Sequence, residues 1–212
     1  MYFIDRQDAA IQLTTRLEKY KNDDSVILAV PRGGVPIGYH LAKQFNFPLD
    51  LLMTKKLGHP GNEEFAIGAV GLEDNVVEES KGISPEYIEK EASNIRKQLK
   101  ERYKNFMGER QPIDVRNKTI IVVDDGVATG RTILATLKML RGKHPKKLIV
   151  AVPVASQEAA ERIRQEVDDF ICLYTPFPFY GVGRFYHDFS QTSDEEVSIM
   201  LKELNERDHE AS

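Results

Sequence analysis

The sequence has one cysteine, no tryptophan and no apolar run long enough to cross a bilayer. The lone Cys172 cannot form an intramolecular disulfide, which excludes a disulfide-stapled scaffold and indicates a reducing compartment. Its neighbours, DDFICLYTP, predict a buried strand in which Cys172 is a small core residue. The start MYFIDRQDAA lacks a basic segment followed by an apolar one, and a membrane span needs about 18 to 20 apolar residues. We therefore expect a cytoplasmic protein without membrane segments.

The chain also lacks an excess of positive charge. It has 29 Lys and Arg against 33 Asp and Glu, which gives a formal net charge of −4. With no basic cluster and no helix-turn-helix pattern, a nucleic-acid partner is not expected, and any polyanionic ligand must be held by a local site. The 212 residues, 41% of them hydrophobic, are enough for one well-cored domain but short for two.

Five short apolar runs recur along the chain and predict strands: VILAV at 26–30, LDLLMT at 49–54, TIIVVD at 119–124, KLIVAVPVA at 147–155 and FICLY at 170–174. The runs are continuous rather than alternating, which is typical of strands buried on both faces of a parallel sheet. Helical patterns follow Gly34, Arg131 and Ser156. Strand and helix in alternation predict an α/β fold, an open, twisted and mainly parallel sheet with helices on both faces, as a single domain over 1–212.

Three further helices are predicted outside this alternation. Asp5 is the candidate N-cap of the first, and Ser84 followed by Pro85 starts a long second one. Near the end of the chain, Ser193 and Glu196 have the spacing of a capping box. By default these helices are packing elements.

Two adjacent carboxylates, Asp124 and Asp125, stand between an apolar strand and the loop GVATGRT. Glycines let a backbone turn tightly and approach an anion, and hydroxyls and an arginine can add donors and charge. A phosphate on the loop and vicinal hydroxyls on the acid pair together describe a ribose 5-phosphate unit. The alternative is an acidic strand end that only caps the next helix. The candidate binding residues are Asp124, Asp125, Gly126, Val127, Ala128, Thr129, Gly130, Arg131 and Thr132.

The stretch AVPRGGVPIG at 29–38 is a second strand that runs into glycines and then a helix. Arg32 can bridge two phosphoryl oxygens, while Gly33 and Gly34 offer backbone N–H groups at the helix start. This combination suits a pyrophosphate. A glycine turn with a solvated arginine is the alternative.

The segment VVDDGVATGRT resembles the signature of the type I phosphoribosyltransferases, in which two acidic residues bind the ribose hydroxyls of phosphoribosyl pyrophosphate (PRPP) and the next loop binds its 5-phosphate. VPRGGVPIG, KKLGHPGNEEFAIGAV and AVPVAS are similar to a bacterial branch of that family whose acceptor is poorly defined. The resemblance implies a pyrophosphate loop at Arg32, Gly33 and Gly34. In that family the loop often has a cis peptide, for which the Arg32–Gly33 bond is the candidate here. It also implies a small hood built from parts of 1–20 and 175–205.

By the same resemblance, the segment 55–78 is a flexible catalytic loop that closes over PRPP and excludes water. Lys55 or Lys56 would reach the pyrophosphate, so Arg32, Lys55 and Lys56 are the candidate catalytic residues. A solvated turn is the alternative. Within this segment, AIGAV and NVVEE are predicted to pair as a hairpin.

The implied reaction is displacement of pyrophosphate from PRPP by a small-molecule acceptor, usually a ring nitrogen. Mg²⁺ would be bound mainly through PRPP, because it keeps several waters and the five histidines are scattered, so no protein metal site is expected. Acceptor binding is expected in TPFPFYGVGRFYHDFSQ, at Phe179, Tyr180 and Val182, although these aromatics could equally form a hydrophobic cover or a dimer contact.

In relatives that use 6-oxopurines, the position of Ala128 is typically an aspartate, so hypoxanthine and guanine are not expected as acceptors. The resemblance further implies a homodimer. The rival hypothesis is a PRPP or nucleotide sensor that keeps the fold without turnover. Arg32, Lys56 and the loop favour turnover, because a sensor needs no exit for pyrophosphate.

Overall fold

The computed structural model describes residues 2–77 and 81–210. Its helices and strands, in chain order, are α1 (Arg6–Leu17), β1 (Ser25–Ala29), α2 (Gly34–Phe45), β2 (Leu49–Leu51), β3 (Lys55–His59), β4 (Asn62–Val70), β5 (Asn75–Val77), α3 (Pro85–Met107), β6 (Thr119–Val123), α4 (Arg131–Gly142), β7 (Lys147–Val154), α5 (Gln157–Arg164), β8 (Asp169–Tyr174) and α6 (Asp194–Glu210).

The central sheet has five strands in the order β2-β1-β6-β7-β8, and every neighbouring pair is parallel. From β1 the chain passes through α2 to β2 on one side, whereas from β6 it passes through α4 and α5 to β7 and β8 on the other. The strand order therefore reverses between β1 and β6. In open α/β sheets, ligands collect beyond the carboxyl ends of the strands at this reversal.

The central strands are buried on both faces, as their continuous apolar runs predict. Ile27, Ile121 and Ile149 belong to one core with residues of α1, α2, α3 and α6. Val26 and Ile120 face the opposite core, beneath α4 and α5. All five predicted strands are confirmed, with end points that differ by at most a few residues.

The predicted caps are present in the structure. Asp5 accepts the Asp8 N–H at 2.8 Å, Ser84 accepts the Tyr87 N–H at 3.2 Å and Ser156 accepts the Ala159 N–H at 3.1 Å. The capping box closes in both directions: the Ser193 N–H donates to Glu196 and the Glu196 N–H donates to Ser193 Oγ. Each side chain satisfies a backbone group that a helix end leaves unpaired.

A second, antiparallel sheet has the order β3-β4-β5. The pairing of Gly68 with Val77 and of Val70 with Asn75 confirms the hairpin, although Glu78 and Glu79 of the prediction lie outside the described residues. The strand β3 was not predicted. Its pairing with β4 shifts register at Gly58, which hides the alternation that would reveal it. Mobility of segment 55–78 stays a prediction.

The first residues pair with a segment near the end of the chain. The Phe3 N–H donates to the Phe185 carbonyl at 2.8 Å, and the His187 N–H donates to the Phe3 carbonyl at 2.9 Å. Phe3, Phe185 and Tyr186 form a small apolar cluster of their own with Ala9 and Val154. By contrast, the buried side chains of α6, such as Leu201, belong to the main core. We use "hood" below for residues 2–6 and 177–190.

Within the described ranges, no helix is long and apolar enough to span a membrane. Burial raises the pKa of the Cys172 thiol to about 11, and Sγ lies 3.2 Å from the Tyr174 carbonyl. Both observations agree with a packed, unreactive cysteine.

Candidate functional site

Two loops meet where the strand order reverses. The glycine loop (residues 30–34) follows β1, and the acid loop (residues 124–132) follows β6. The Val30 N–H donates to the Val123 carbonyl at 2.9 Å. A β-carbon on Gly34 would lie 2.6 Å from that same carbonyl oxygen, and one on Gly33 would lie 2.0 Å from Asp125 Oδ2. Only residues without side chains let the two loops approach this closely.

The acid loop has the geometry of an anion cradle. Gly130 has φ +68°, a left-handed conformation that turns the chain into α4. Among the described residues, none accepts a hydrogen bond from the backbone N–H groups of 129–132. The side chains of Thr129, Arg131 and Thr132 are exposed. Free N–H groups at a helix start, together with hydroxyls and a cation, suit a phosphate.

Three hydrogen bonds to neighbouring segments hold this loop in place. The Val127 N–H donates to the Val154 carbonyl at 2.9 Å, and the Ser156 N–H donates to the Val127 carbonyl at 3.0 Å. Ser156 Oγ also donates to the Ala128 carbonyl at 2.6 Å. Val127 is buried and its N–H is used within the protein, so it supports the loop instead of offering a donor.

The acid pair is held in a largely desolvated position. Asp124 accepts the Asp125 N–H at 2.8 Å. Burial raises the pKa of the Asp124 carboxyl well above its usual range, and the adjacent charge of Asp125 raises it further. Burial also raises the pKa of Asp125, against an opposing effect of Arg6. Two adjacent buried carboxylates with raised pKa values are typical of a binding site.

Arg6 is a site residue that sequence reasoning missed. Its Nε and Nη2 donate to Asp125 Oδ2 at 3.0 and 2.8 Å, and its Nη1 donates to the Ser190 carbonyl at 2.8 Å. Arg6 is the first residue of α1, where the helix dipole disfavours a cation. That local anomaly was the one signal available in the sequence.

In the glycine loop the structure corrects two expectations. The cis peptide is Pro31–Arg32, not Arg32–Gly33. The Gly34 N–H donates to the Val30 carbonyl at 2.9 Å, so of the two predicted glycine donors only Gly33 stays without an acceptor among the described residues. Arg32 lies at the surface of the site, 30% exposed, with Nη1 3.4 Å from Asp194 at the start of α6.

The two candidate lysines lie at the start of β3, opposite the end of β4. Lys55 pairs with Val70 and Lys56 with Ala69, and Lys55 Nζ donates to Gln98 of α3 at 3.2 Å. In this arrangement Lys55 is directed toward α3. A contact of either lysine with pyrophosphate stays a prediction.

The aromatic segment divides into a buried part and an exposed part. Phe185 and Tyr186 are buried and form the hydrophobic cover that was the alternative interpretation. Phe177 and Tyr180 are exposed by 83% and 81%, and they line a groove with Ala128 and Thr129 of the acid loop. Phe179 also lines that groove, and its ring centre lies 5.5 Å from that of Phe185.

Val182 differs from the other two predicted acceptor residues because it packs on the acid loop. A β-carbon on Gly126 would lie 2.6 Å from Val182 Cγ1. The aromatic segment and the acid loop are therefore in van der Waals contact at Gly126.

In the described part of the chain, no three His, Cys, Asp or Glu side chains are grouped so that they could hold a metal ion. The carboxylates of Asp124 and Asp125 are ligands that Mg²⁺ prefers, but two are fewer than it needs. Asp124 and Asp125 therefore fit a cation whose other ligands are oxygens of a bound substrate.

The fold and the two loops define a class: an α/β protein with a glycine loop and an acid pair at the strand reversal. A sequence profile of the phosphoribosyl transferase domain matches residues 4–183. The chain belongs to this phosphoribosyl transferase family.

Individual relatives agree with this assignment. Two Mycobacterium tuberculosis proteins, named "Putative phosphoribosyl transferase Rv0571c" and "Putative phosphoribosyl transferase MT0597", are each 37% identical over 204 residues, which is 94% of this chain. The match covers 46% of those proteins, so the chain spans about half the length of these curated relatives.

Solved structures show the same fold. The crystal structure of TT1426 from Thermus thermophilus is 35% identical, with a TM-score of 0.88 over 96% of this chain and 99% of that one. A hypoxanthine-guanine phosphoribosyltransferase (hpt-2) from Bacillus anthracis is 14% identical, with a TM-score of 0.51 over 89% and 93% of the two chains. At that identity, the likeness concerns the fold alone.

Proposed function

We propose that this chain transfers the 5-phosphoribosyl group of PRPP to a nitrogenous base or a similar small acceptor and releases pyrophosphate. The observation that carries the proposal is the contact of the two loops at the strand reversal, where the Asp125 carboxylate lies against Gly33. One loop supplies the acid pair and the unpaired N–H groups of 129–132, and the other supplies Arg32. A sugar with a phosphate at one end and a pyrophosphate at the other matches this layout.

In the proposed reaction the protein positions the reactants and stabilises charge. Asp124 and Asp125 accept hydrogen bonds from the ribose hydroxyls, and residues 129–132 bind the 5-phosphate. The bond between the anomeric carbon and pyrophosphate breaks, the bond to the acceptor nitrogen forms, and the acceptor's proton passes to solvent. Mg²⁺, bound mainly through PRPP oxygens, would offset charge on the leaving group.

Arg32 has to exchange one partner for another during this reaction. In the structure it faces Asp194, whose side chain is 64% exposed, at the long distance of 3.4 Å. An exposed ion pair of this kind contributes about 0 to 1 kcal/mol. The leaving pyrophosphate, with its higher charge, can therefore take the guanidinium from Asp194, and Lys55 or Lys56 would add a second cation.

The groove beside the acid loop is the proposed acceptor site. Phe179 and Tyr180 line the groove and offer ring faces on which a flat base can stack. Val182, two residues after Tyr180, packs against Gly126 of the acid loop. Ala128 is exposed there and brings no carboxylate to the acceptor. The location in the cytoplasm and the dimer stay predictions.

The test is to incubate the protein with PRPP and Mg²⁺ against a panel of bases and small amines and to measure pyrophosphate. Release that depends on one acceptor supports the proposal. PRPP binding in calorimetry without release for any acceptor would favour the non-catalytic sensor. Absence of PRPP binding would contradict both.

A further inference from the structure

We propose that Arg6 is a positioning residue of the site, which fixes the Asp125 carboxylate so that it can receive the ribose hydroxyls. This inference rests on the proposed function, because the task that it assigns to Arg6 is to support the binding of PRPP. Arg6 lies outside both loops. It concerns a side chain that lies 119 positions from its partner in the sequence.

The first observation is that the pair is largely buried. The Arg6 and Asp125 side chains are only 11% and 14% exposed. Both N–H contacts of Arg6 reach the same oxygen, Oδ2. Among the described residues, no side chain donates to the other carboxylate oxygen, Oδ1. A buried ion pair is weak as a stabilising device, since desolvation offsets much of its attraction, so its presence here points to a task at the site.

The second observation is that the guanidinium is held from several sides. Its central carbon lies 4.1 Å from the centre of the Phe189 ring, and Nη1 donates to the Ser190 carbonyl. Phe189 packs on Tyr186 at 5.0 Å between ring centres, and the Tyr186 hydroxyl donates to the Asp125 carbonyl at 2.7 Å. The hood therefore holds Asp125 through its side chain and its main chain.

The third observation concerns the charges that face Asp125. They are Asp124 on the same loop and Arg6 from α1, with the neutral Tyr186 hydroxyl on the hood side. Two adjacent carboxylates share a proton unless a cation supports the second charge. A shared proton would turn one acceptor into a donor and misdirect the ribose hydroxyls. Arg6 opposes the rise in the Asp125 pKa that burial causes.

A competing possibility is that Arg6 blocks the site and must leave before PRPP enters. The two possibilities predict opposite changes in PRPP affinity when Arg6 is removed. If Arg6 positions Asp125, its removal weakens PRPP binding. If Arg6 occupies the place of the sugar, its removal strengthens binding.

The experiment measures PRPP affinity by calorimetry with Mg²⁺ between pH 5.5 and 8.5 for the wild type, Arg6→Gln, Arg6→Lys and Arg16→Gln. Arg16 is the matched control, an exposed arginine on the same helix. We expect Arg6→Gln to bind about tenfold more weakly at pH 7. As the pH falls, its affinity should be lost at a higher pH than that of the wild type, because Arg6 opposes the rise in the Asp125 pKa that burial causes. Arg6→Lys should recover part of the affinity and most of the pH profile, since lysine keeps the positive charge but cannot donate two parallel hydrogen bonds as the guanidinium does.

Unchanged or tighter binding by Arg6→Gln, with the wild-type pH profile, would overturn the inference while the proposed function stands. A wild type that does not bind PRPP would remove both. If circular dichroism shows that Arg6→Gln is unfolded, Phe189→Leu tests the same arrangement, because it removes the ring under the guanidinium and keeps the charge. We expect about two- to fivefold weaker binding from that loss of a cation–π contact, and an unaltered affinity and pH profile would again overturn the inference.

Discussion

The Asp125 carboxylate lies directly against the main chain of Gly33, so that a β-carbon on Gly33 would be 2.0 Å from Oδ2 and 2.6 Å from Cγ. This contact joins the glycine loop to the acid loop. It also explains why a glycine stands here although its φ of −60° would suit any residue.

Gly33→Ala should therefore disable the site without unfolding the protein. The new methyl group must push the Asp125 carboxylate away from its place and from Arg6, so we expect PRPP affinity to fall at least about tenfold, or 1.4 kcal/mol. Calorimetry measures the affinity and thermal denaturation the stability. The control is Gly142→Ala, where a β-carbon meets nothing within 4 Å. Equal affinities of the two variants would contradict the role given to the contact.

Asp124→Asn should stabilise the protein while it weakens PRPP binding. Burial and the Asp125 charge raise the pKa of the Asp124 carboxyl, so its ionised form is disfavoured in the folded state at neutral pH. We expect a gain on the order of 1 kcal/mol, or roughly 2 to 4 °C in Tm. The wild type regains stability relative to the variant as the pH falls from 8 through the raised pKa, so the difference should shrink toward pH 4.

The matched control for this experiment is Glu109→Gln, because Glu109 is 85% exposed and should give little change in Tm at either pH. A lower Tm for Asp124→Asn than for the wild type at pH 8 would show that the charge of Asp124 does not destabilise the folded protein. A difference in Tm that grows on acidification would show the same.

Tyr103→Phe should lower the free energy of unfolding by about 1 to 3 kcal/mol, because it removes a hydrogen bond to a buried carboxylate. The Tyr103 hydroxyl donates to Asp50 at 2.8 Å, and Asp50 also accepts the N–H groups of Leu51 and Ile113. Urea denaturation measures the change. Tyr2→Phe removes a hydroxyl from a side chain that is 64% exposed and should alter stability by less than about 0.5 kcal/mol. Equal changes in the free energy of unfolding for Tyr103→Phe and Tyr2→Phe would show that the hydrogen bond between Tyr103 and Asp50 is not important for stability.

Hypoxanthine and guanine should not serve as acceptors. By the resemblance given above, relatives that use 6-oxopurines typically have an aspartate at this position, whereas this chain has the exposed Ala128 in the groove. The pyrophosphate assay with each base, beside adenine and uracil, checks this expectation. Turnover with either 6-oxopurine would contradict it.

The regular core of the fold could be predicted from sequence because its signals are local. Continuous apolar runs such as TIIVV reveal strands buried on both faces, and Ser156 or Ser193 reveal helix starts through contacts three residues away. The strand β3 was missed because its register shift at Gly58 breaks the alternation. Local rules fail where pairing is irregular.

The site could be predicted only in part, for the same physical reason. The acid pair and the glycines indicate a candidate phosphate loop within eleven consecutive residues, VVDDGVATGRT, and phosphate binding there stays a prediction. Arg6, Tyr186 and Phe189 give no such signal, because their roles arise from packing between distant segments. The cis peptide also lies one residue earlier than expected.

The pairing of Phe3 with Phe185 has a consequence for synthesis on the ribosome. A nascent chain carries both glycine-rich turns well before Tyr186, which follows Asp125 by 61 positions, has been made. Until then Arg6 lacks its contacts with the Phe189 ring and the Ser190 carbonyl. The growing polypeptide therefore cannot complete the contacts around Arg6 and Asp125 until residues 186–190 have been made.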